Sequence, residues 1–420
     1  MVNILKRVKN RMFLAMGADK LNHEFLQFSG MHIAYLLATV ITMTFINTLL
    51  MRVSDDPNTI VLKYNIVHFV FVGLSMTWTA ILMRKLNNKV ILIIGVILSM
   101  MTYLITFIFM DRLDTVYSIV ATVHGIATGV YWINYFDSLI RYSNDDTRDV
   151  AMSFLGVFSG LISLVMPMFA GFLIQAFDGF IGYYIVFGSC FLIAGFVVYL
   201  ILKLETIPKM EQKTRFKELF KNIYTQKPWF FVIHMDFFKG IREGAFSFFL
   251  NVLLFEIVKS ESLVGFNTFL VGVAAMISSI IIGKIMRPNN RINYMLASTT
   301  ILTILCGLLF WKLNTYTILI LSVINSFLGA FLINPTTTTL YTVLDNVPHA
   351  KEFKTETISI TECYKNVGRI LGVLLIMLLP KTNFYYVLSL VILTATQYIT
   401  VIFAKITLNS CKKYKENANA

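Results

Sequence analysis

The stretch WFFVIHMDFFKGIREGAFSFFLNVLLF (residues 229–255) decides how this chain folds. Large apolar side chains fill it, yet Asp236, Lys239, Arg242 and Glu243 sit in its middle. A helix of this length spans a bilayer with some tilt. Four ionised groups facing lipid near the centre would cost roughly 2.5–3.5 kcal/mol each, about 10 kcal/mol or more together. At 100° per residue, Asp236, Lys239 and Glu243 fall within about 60° of one another, with Arg242 about 60° further round. The charges therefore form a stripe that must face protein or a water-filled cavity.

The rest of the chain repeats the apolar theme. Of 420 residues, 57% are hydrophobic and 14% charged, with a mean hydropathy of +0.71. Soluble domains carry about 25% charge, so the chain is predicted to be an all-α, multi-pass membrane protein with the lipid bilayer as its solvent. Twelve apolar segments follow one another, the first at 27–50 and the last at 384–408. Twenty-six of the 36 Lys and Arg fall on the side of the two termini, six on the other side, and four lie inside the membrane. The positive-inside rule then predicts that both termini are cytoplasmic, in a cell membrane. The same distribution assigns the net charge of +13 to topology and the anionic inner leaflet, so no nucleic-acid partner is expected.

Chemistry-bearing motifs are sparse. Cys190, Cys306, Cys363 and Cys411 have no metal or CxxC spacing and read as free thiols. HEFLQ (23–27) lacks the second His of a zinc helix, and no GxxxxGK[ST] phosphate loop occurs. No cofactor or metal is expected, and the chain does not read as an enzyme. The amino-terminal residues are basic and amphipathic, without the apolar run of a cleavable signal.

The longest polar gap lies at 203–227 and divides the spans six and six. This suggests an amino-terminal bundle (1–202) with a basic head, a basic linker (203–228) and a carboxy-terminal bundle (229–420) with a basic tail. Three short matches relate the halves. FINTLL (45–50) pairs with FLNVLL (249–254), AILMRKLNN (80–88) with GKIMRPNNR (283–291), and GVYWIN (129–134) with GAFLIN (329–334). Their offsets are 204, 203 and 200 residues, the mark of a parallel repeat with a binding site between the halves.

With these features the chain resembles a major facilitator superfamily transporter over essentially its full length. Arg84, Lys85 and Lys89 occupy the family's basic loop after the second span, Arg84 standing where an acidic residue is usual. Arg287 and Arg291 occupy the corresponding loop of the second half, and these five are candidate gating residues. MPMFAG (166–171) resembles a degraded exporter signature, although Ala121 stands where that pattern has an Arg. GVYWINYFDSL (129–139), with 145–149, FKGIREGAFSFF (238–249) and TETISITECYKNVGRILG (355–372) resemble a poorly characterised bacterial branch of efflux-type members. The resemblance implies twelve helices in two pseudo-symmetric bundles, spans 1, 4, 7 and 10 lining a cavity, and spans 7 and 11 adjacent.

Span 11 repeats the charged spacing of span 7, with Glu362, Lys365 and Arg369. Two readings fit these stripes: a buried ion-pair network that only fixes packing, or groups that bind substrate and exchange protons. On the second reading Glu243, Glu362 and Asp236 are the proton-coupling candidates. Lys239, Arg242, Lys365 and Arg369 are then substrate-cavity candidates, and the net +1 of the seven ionised groups on the two stripes favours an anionic or zwitterionic solute. Tyr131, Trp132, Asn134 and Asp137 in span 4 and Asn334 in span 10 are further cavity candidates; interfacial aromatics with an ordinary Asp137–Arg141 pair are the plainer reading of span 4. Asn334-Pro335 before four threonines suggests a hinge. His32, His68 and His124 read as packed residues. Rows of small residues (Gly156 and Gly160; Ala275, Ser279 and Gly283; Gly368 and Gly372) suit close helix contacts, and the implied fold places spans 5 against 8 and 2 against 11 across the halves.

The chain is thus expected to be a monomeric secondary transporter working by alternating access, exporting a small organic or amphipathic solute in exchange for protons. A non-transporting sensor or scaffold that keeps the fold, a solute importer and a lipid flippase are the alternatives.

Overall fold

The computed structural model describes residues 21–142, 148–206, 208–209, 214–287, 289–347 and 354–419. The basic head (1–20), the middle of the linker (210–213) and residues 145–147 of the branch-like segment lie outside the described residues. The first half contains α1 (His23–Val53), α2 (Pro57–Leu82), α3 (Asn88–Ile108), α4 (Leu113–Tyr142), α5 (Arg148–Gln175) and α6 (Ile181–Lys203). A short linker helix, α7 (Phe216–Thr225), leads to α8 (Lys227–Phe246), α9 (Phe249–Val258), α10 (Glu261–Ile285), α11 (Arg291–Leu308) and α12 (Thr315–Asn346). The chain closes with α13 (Lys354–Leu378), α14 (Asn383–Ala395) and α15 (Gln397–Asn419). Helices α8 and α9 together make the seventh span, and α14 and α15 the twelfth. The result is two six-span bundles joined by α7. The membrane face where α1 begins and α15 ends is called the terminal side below, and the opposite face the far side.

Local chemistry sets the helix starts. Asn22 accepts from the Phe25 amide at 2.9 Å and Asn87 from Val90 at 3.0 Å. Asn314 and Thr317 form a reciprocal capping box. Lys259, in the left-handed region at φ 53°, ends α9. Ten helices are each apolar and long enough to cross a membrane. The remaining two spans, α8–α9 and α13, are those that carry the charges.

Polarity is arranged inside out. Leu192 and Trp311 are 71% and 88% exposed on the outer surface, whereas Lys239 and Arg242 are 6% and 4% exposed. Apolar atoms facing lipid lose nothing, while a charge there would lose its solvation.

Three local expectations change. The seventh span breaks at Ser247, whose hydroxyl donates to the Gly244 carbonyl at 2.9 Å and draws it from the helical ladder. The tenth span runs unbroken through Pro335, with the Thr336 and Thr339 hydroxyls on the Ile333 and Pro335 carbonyls at 2.7 and 2.8 Å. The small-residue rows also serve different partners. Gly368 and Gly372 of α13 face Phe237 and Ile241 of α8 within the same half, and the face of α13 toward α2 is built from Ser359, Cys363 and Asn366 against Thr77 and Gly73.

Candidate functional site

The charged residues are brought together by glycine. At Gly240 and Gly244 of α8, an added methyl would land on the backbone of Lys365 and Arg369, and at Gly368 and Gly372 of α13 on the carbonyls of Phe237 and Ile241. The two backbones therefore touch, a geometry open only to residues without a side chain. Along this seam Asp236 and Lys239 pair at 2.7 Å, Glu243 and Arg369 pair at 3.1 Å across the helices, and Glu362 pairs with Lys365. Lys239 also donates to the Thr336 hydroxyl at 3.4 Å. Arg369 donates to Asn366 at 3.1 Å and lies 5.5 Å over the Phe69 ring of α2, in the other half.

Arg242 is the exception. Among the described residues it makes no ion pair. It donates to the Asn325 amide oxygen of α12, lies 4.7 Å over the Phe246 ring, and its Nε has no hydrogen-bond partner. Phe246 and Asn325 both line a cavity of about 180 Å³ between the halves, whose floor includes the helix break at Ser247–Phe248. A buried cation thus stands directly behind the cavity wall.

Two amides, Asn47 of α1 and Asn251 of α9, line the same cavity. Each accepts a hydrogen bond from an asparagine of the following span: Asn65 to Asn47 at 3.0 Å and Asn267 to Asn251 at 2.8 Å. The FINTLL and FLNVLL matches therefore mark one pseudo-symmetric hydrogen bond made twice.

A second cavity, of about 270 Å³, lies on the first-half side and shares Met43 with the first. Its wall carries neutral polar and aromatic groups. His32 stacks on Tyr135 at 4.0 Å and is hydrogen-bonded to the Tyr131 hydroxyl at 2.8 Å, and His124 is bonded to Tyr64 at 2.7 Å. Trp132 stands edge-on to His32 at 5.8 Å and lines the cavity, while Tyr131 lies behind it. The His68 ring lies tilted 4.4 Å from that of His124, its Nδ1 without a hydrogen-bond partner.

The remaining sequence candidates fall elsewhere. Asn134 is buried in helix packing, donating to the Asn88 carbonyl at 2.7 Å. Asp137 pairs with Arg141 at 2.8 Å near the terminal side. Asn334 is exposed and outside both central cavities. Of the five loop cations, Arg84 bridges the halves, donating to Glu356 of α13 at 2.8 Å. Lys89 donates to the Leu202 carbonyl at 3.0 Å, Lys85 and Arg287 are exposed, and Arg291 lines a separate terminal-side cavity.

This architecture agrees with a family comparison: residues 28–373 match the model of the Major Facilitator Superfamily. The chain belongs to that superfamily. As a Major Facilitator protein it is a multi-pass membrane transporter rather than an enzyme. It is 24% identical over 376 residues to YqgE of Bacillus subtilis (strain 168), an uncharacterised protein, covering 88% of this chain and 86% of that one. A solved structure of a proton-dependent oligopeptide transporter superposes with a TM-score of 0.70 at 10% identity, over 93% of this chain and 99% of the other. The nucleoside transporter NupG does so with a TM-score of 0.61 at 13% identity, over 94% and 99%.

In this Major Facilitator chain the two halves are also bridged on the far side, by residues outside the sequence candidates. Arg52 of α1 makes a two-pronged bridge to the fully buried Glu261 of α10, its Nη2 at 2.7 Å, and Tyr183 donates to the same carboxylate at 2.8 Å. Lys381 meets Asp56 at 2.6 Å and Asn58 donates to Glu256 at 3.0 Å. Opposite charges at the far ends of spans 1 and 8 were the available signal, but only packing pairs them. The MPMFAG segment lies at this closed end, Pro167 against Gly265 and Gly171 beneath the Glu261 carbonyl. Toward the terminal side, Gly156 and Gly160 of α5 have no neighbour within 4 Å of where a Cβ would stand.

Proposed function

We propose that this chain moves a small solute bearing an anionic group across the membrane by alternating access, in the export direction and coupled to protons. The observation that carries the reading is Arg242, a buried cation without an ion-pair partner among the described residues, held directly behind the wall of the central cavity by Asn325 and Phe246. A carboxylate or phosphate in that cavity would neutralise it, a charge-assisted interaction worth more in a low dielectric than in water. Asn47 and Asn251 supply further polar contacts, and Trp132 supplies an apolar face for the rest of the solute.

Glu243, Glu362 and Asp236 are the proposed proton carriers. Protonation of Glu243 would free Arg369, and because Arg369 lies over Phe69 the change is felt across the boundary between the halves. Similarity in fold to proton-dependent oligopeptide transporters supports coupling of this kind. The units 1–202 and 229–420 would rock about the 203–228 linker, the far-side bridges Arg52–Glu261 and Lys381–Asp56 opening as the terminal-side ends of the two units approach. A path contained within one chain supports action as a monomer, and the Lys/Arg asymmetry supports cytoplasmic termini in the cell membrane. Export is supported by the exporter-like MPMFAG segment.

Flux into proteoliposomes of small carboxylates, zwitterions and neutral analogues, with and without a pH gradient, tests the proposal. Arg242→Gln should raise KM for anionic solutes by roughly tenfold or more, the worth of one charge-assisted bond, with neutral analogues unaffected. Unchanged anion flux and unchanged pH dependence in that variant would overturn it.

A further inference from the structure

A cavity of about 790 Å³, away from the central path, opens on the terminal side between the start of α11 and the ends of α12 and α15. Arg291, Lys405 and Lys412 line it, with the amides of Asn293, Asn346 and Asn409. Among the side chains that the structure describes no carboxylate lines it, and none of the three cations makes an ion pair. Lys405 and Lys412 are seven residues apart on α15 and so share one face. Three cations gathered with no ion-pair partner among the described side chains repel one another, a cost relieved when an anion binds. The first N–H groups of α11 open at the same place, since its N-cap Asn290 makes no side-chain capping bond.

What distinguishes the kind of anion is the rim. About one turn deeper in the membrane, two of the three helices present an exposed apolar side chain on the face that lines the cavity: Leu296 of α11, three residues after Asn293, and Ile402 of α15, three before Lys405. A basic cavity at headgroup level above apolar walls matches an amphiphile with a phosphate at its polar end. We propose that this cavity binds the phosphodiester headgroup of an anionic phospholipid, its acyl chains lying along Leu296 and Ile402. The site is independent of the solute path and of the transport reading. It would tie α11, α12 and α15 to the leaflet on the terminal side.

Native mass spectrometry of the detergent-purified chain, titrated with phosphatidylglycerol or phosphatidylcholine, tests it. One phosphatidylglycerol should be held in preference to phosphatidylcholine. The triple variant Arg291→Gln, Lys405→Gln, Lys412→Gln should weaken it roughly 100-fold, the worth of three surface cations. The pair Lys405→Arg, Lys412→Arg should keep it, as should Lys312→Gln on the far side. An unchanged melting temperature of the triple variant in phosphatidylcholine shows that it still folds. Equal retention of the two lipids, or wild-type retention by the triple variant, overturns the proposal. Displacement of phosphatidylglycerol by millimolar inorganic phosphate would also overturn it, because the ligand would then be a soluble phosphate.

Discussion

The two halves share a fold and even a hydrogen bond, yet they bury polarity in opposite ways. The first half lines its cavity with neutral groups, with His32 bonded to Tyr131 and His124 to Tyr64. The second half buries ions, three pairs along the α8–α13 seam and one cation, Arg242, at the cavity edge. The first wall is thus held by hydrogen bonds between side chains that are not paired ions. In a row of ion pairs, adding a proton or an anion changes which charges are balanced. On the proposed function, sensitivity to protons and solute would be concentrated on one side of the path.

The contrast can be broken first at its glycines. Gly240→Leu or Gly372→Leu would drive a side chain into the opposing backbone and should cost about 3 kcal/mol or more, read as loss of monodisperse protein on size-exclusion chromatography. Gly156→Ala in the first half meets open space and should stay within about 0.5 kcal/mol of wild type. Equal damage at both places would mean that the seam is not where the helices are forced together. Next comes charge. Glu243→Gln strands Arg369 and should cost toward the lower end of roughly 3–5 kcal/mol, with Glu243→Gln combined with Arg369→Met recovering much of it in thermal melts. Tyr131→Phe in the neutral half removes one 2.8 Å bond to His32 and should cost less, about 1–2 kcal/mol. A Glu243 variant no less stable than the Tyr131 variant would erase the distinction between the halves.

The smallest effect lies at the far side. Lys381, and after it Thr59, hydrogen-bond Asp56 and hold its carboxyl below the usual range. A depressed folded pKa contributes stability that is present above the ordinary Asp value and lost as pH falls through the lower, folded one. Lys381→Gln should therefore melt slightly below wild type near neutrality, the gap narrowing as pH drops beneath about 4. A gap constant with pH would assign the difference to packing instead.

Several of these features were legible before any fold was known. Burying Asp236, Lys239 and Glu243 on one face followed from helical spacing and the cost of charge in hydrocarbon, and the repeat at 45–50 and 249–254 pointed to the pair Asn47 and Asn251. Their role as cavity walls was not legible, because an asparagine in an apolar run looks the same whether it meets a neighbour or an opening. Asn134 and Asn334 show the converse: matched in sequence, they end in a packed interior and on an exposed surface.

The sequence by itself determined the membrane class, the twelve spans, their pairing as a repeat and the inward direction of the charges, since each follows from periodicity and solvation along a single helix. Only the tertiary structure decided that Gly368 and Gly372 seat α13 on α8, that Arg52 meets Glu261, and that Arg242 alone among the buried cations is left without a carboxylate among the described residues. Those outcomes depend on distances between segments far apart in the chain, and partner choice among buried charges is set by helix packing, which no local pattern encodes.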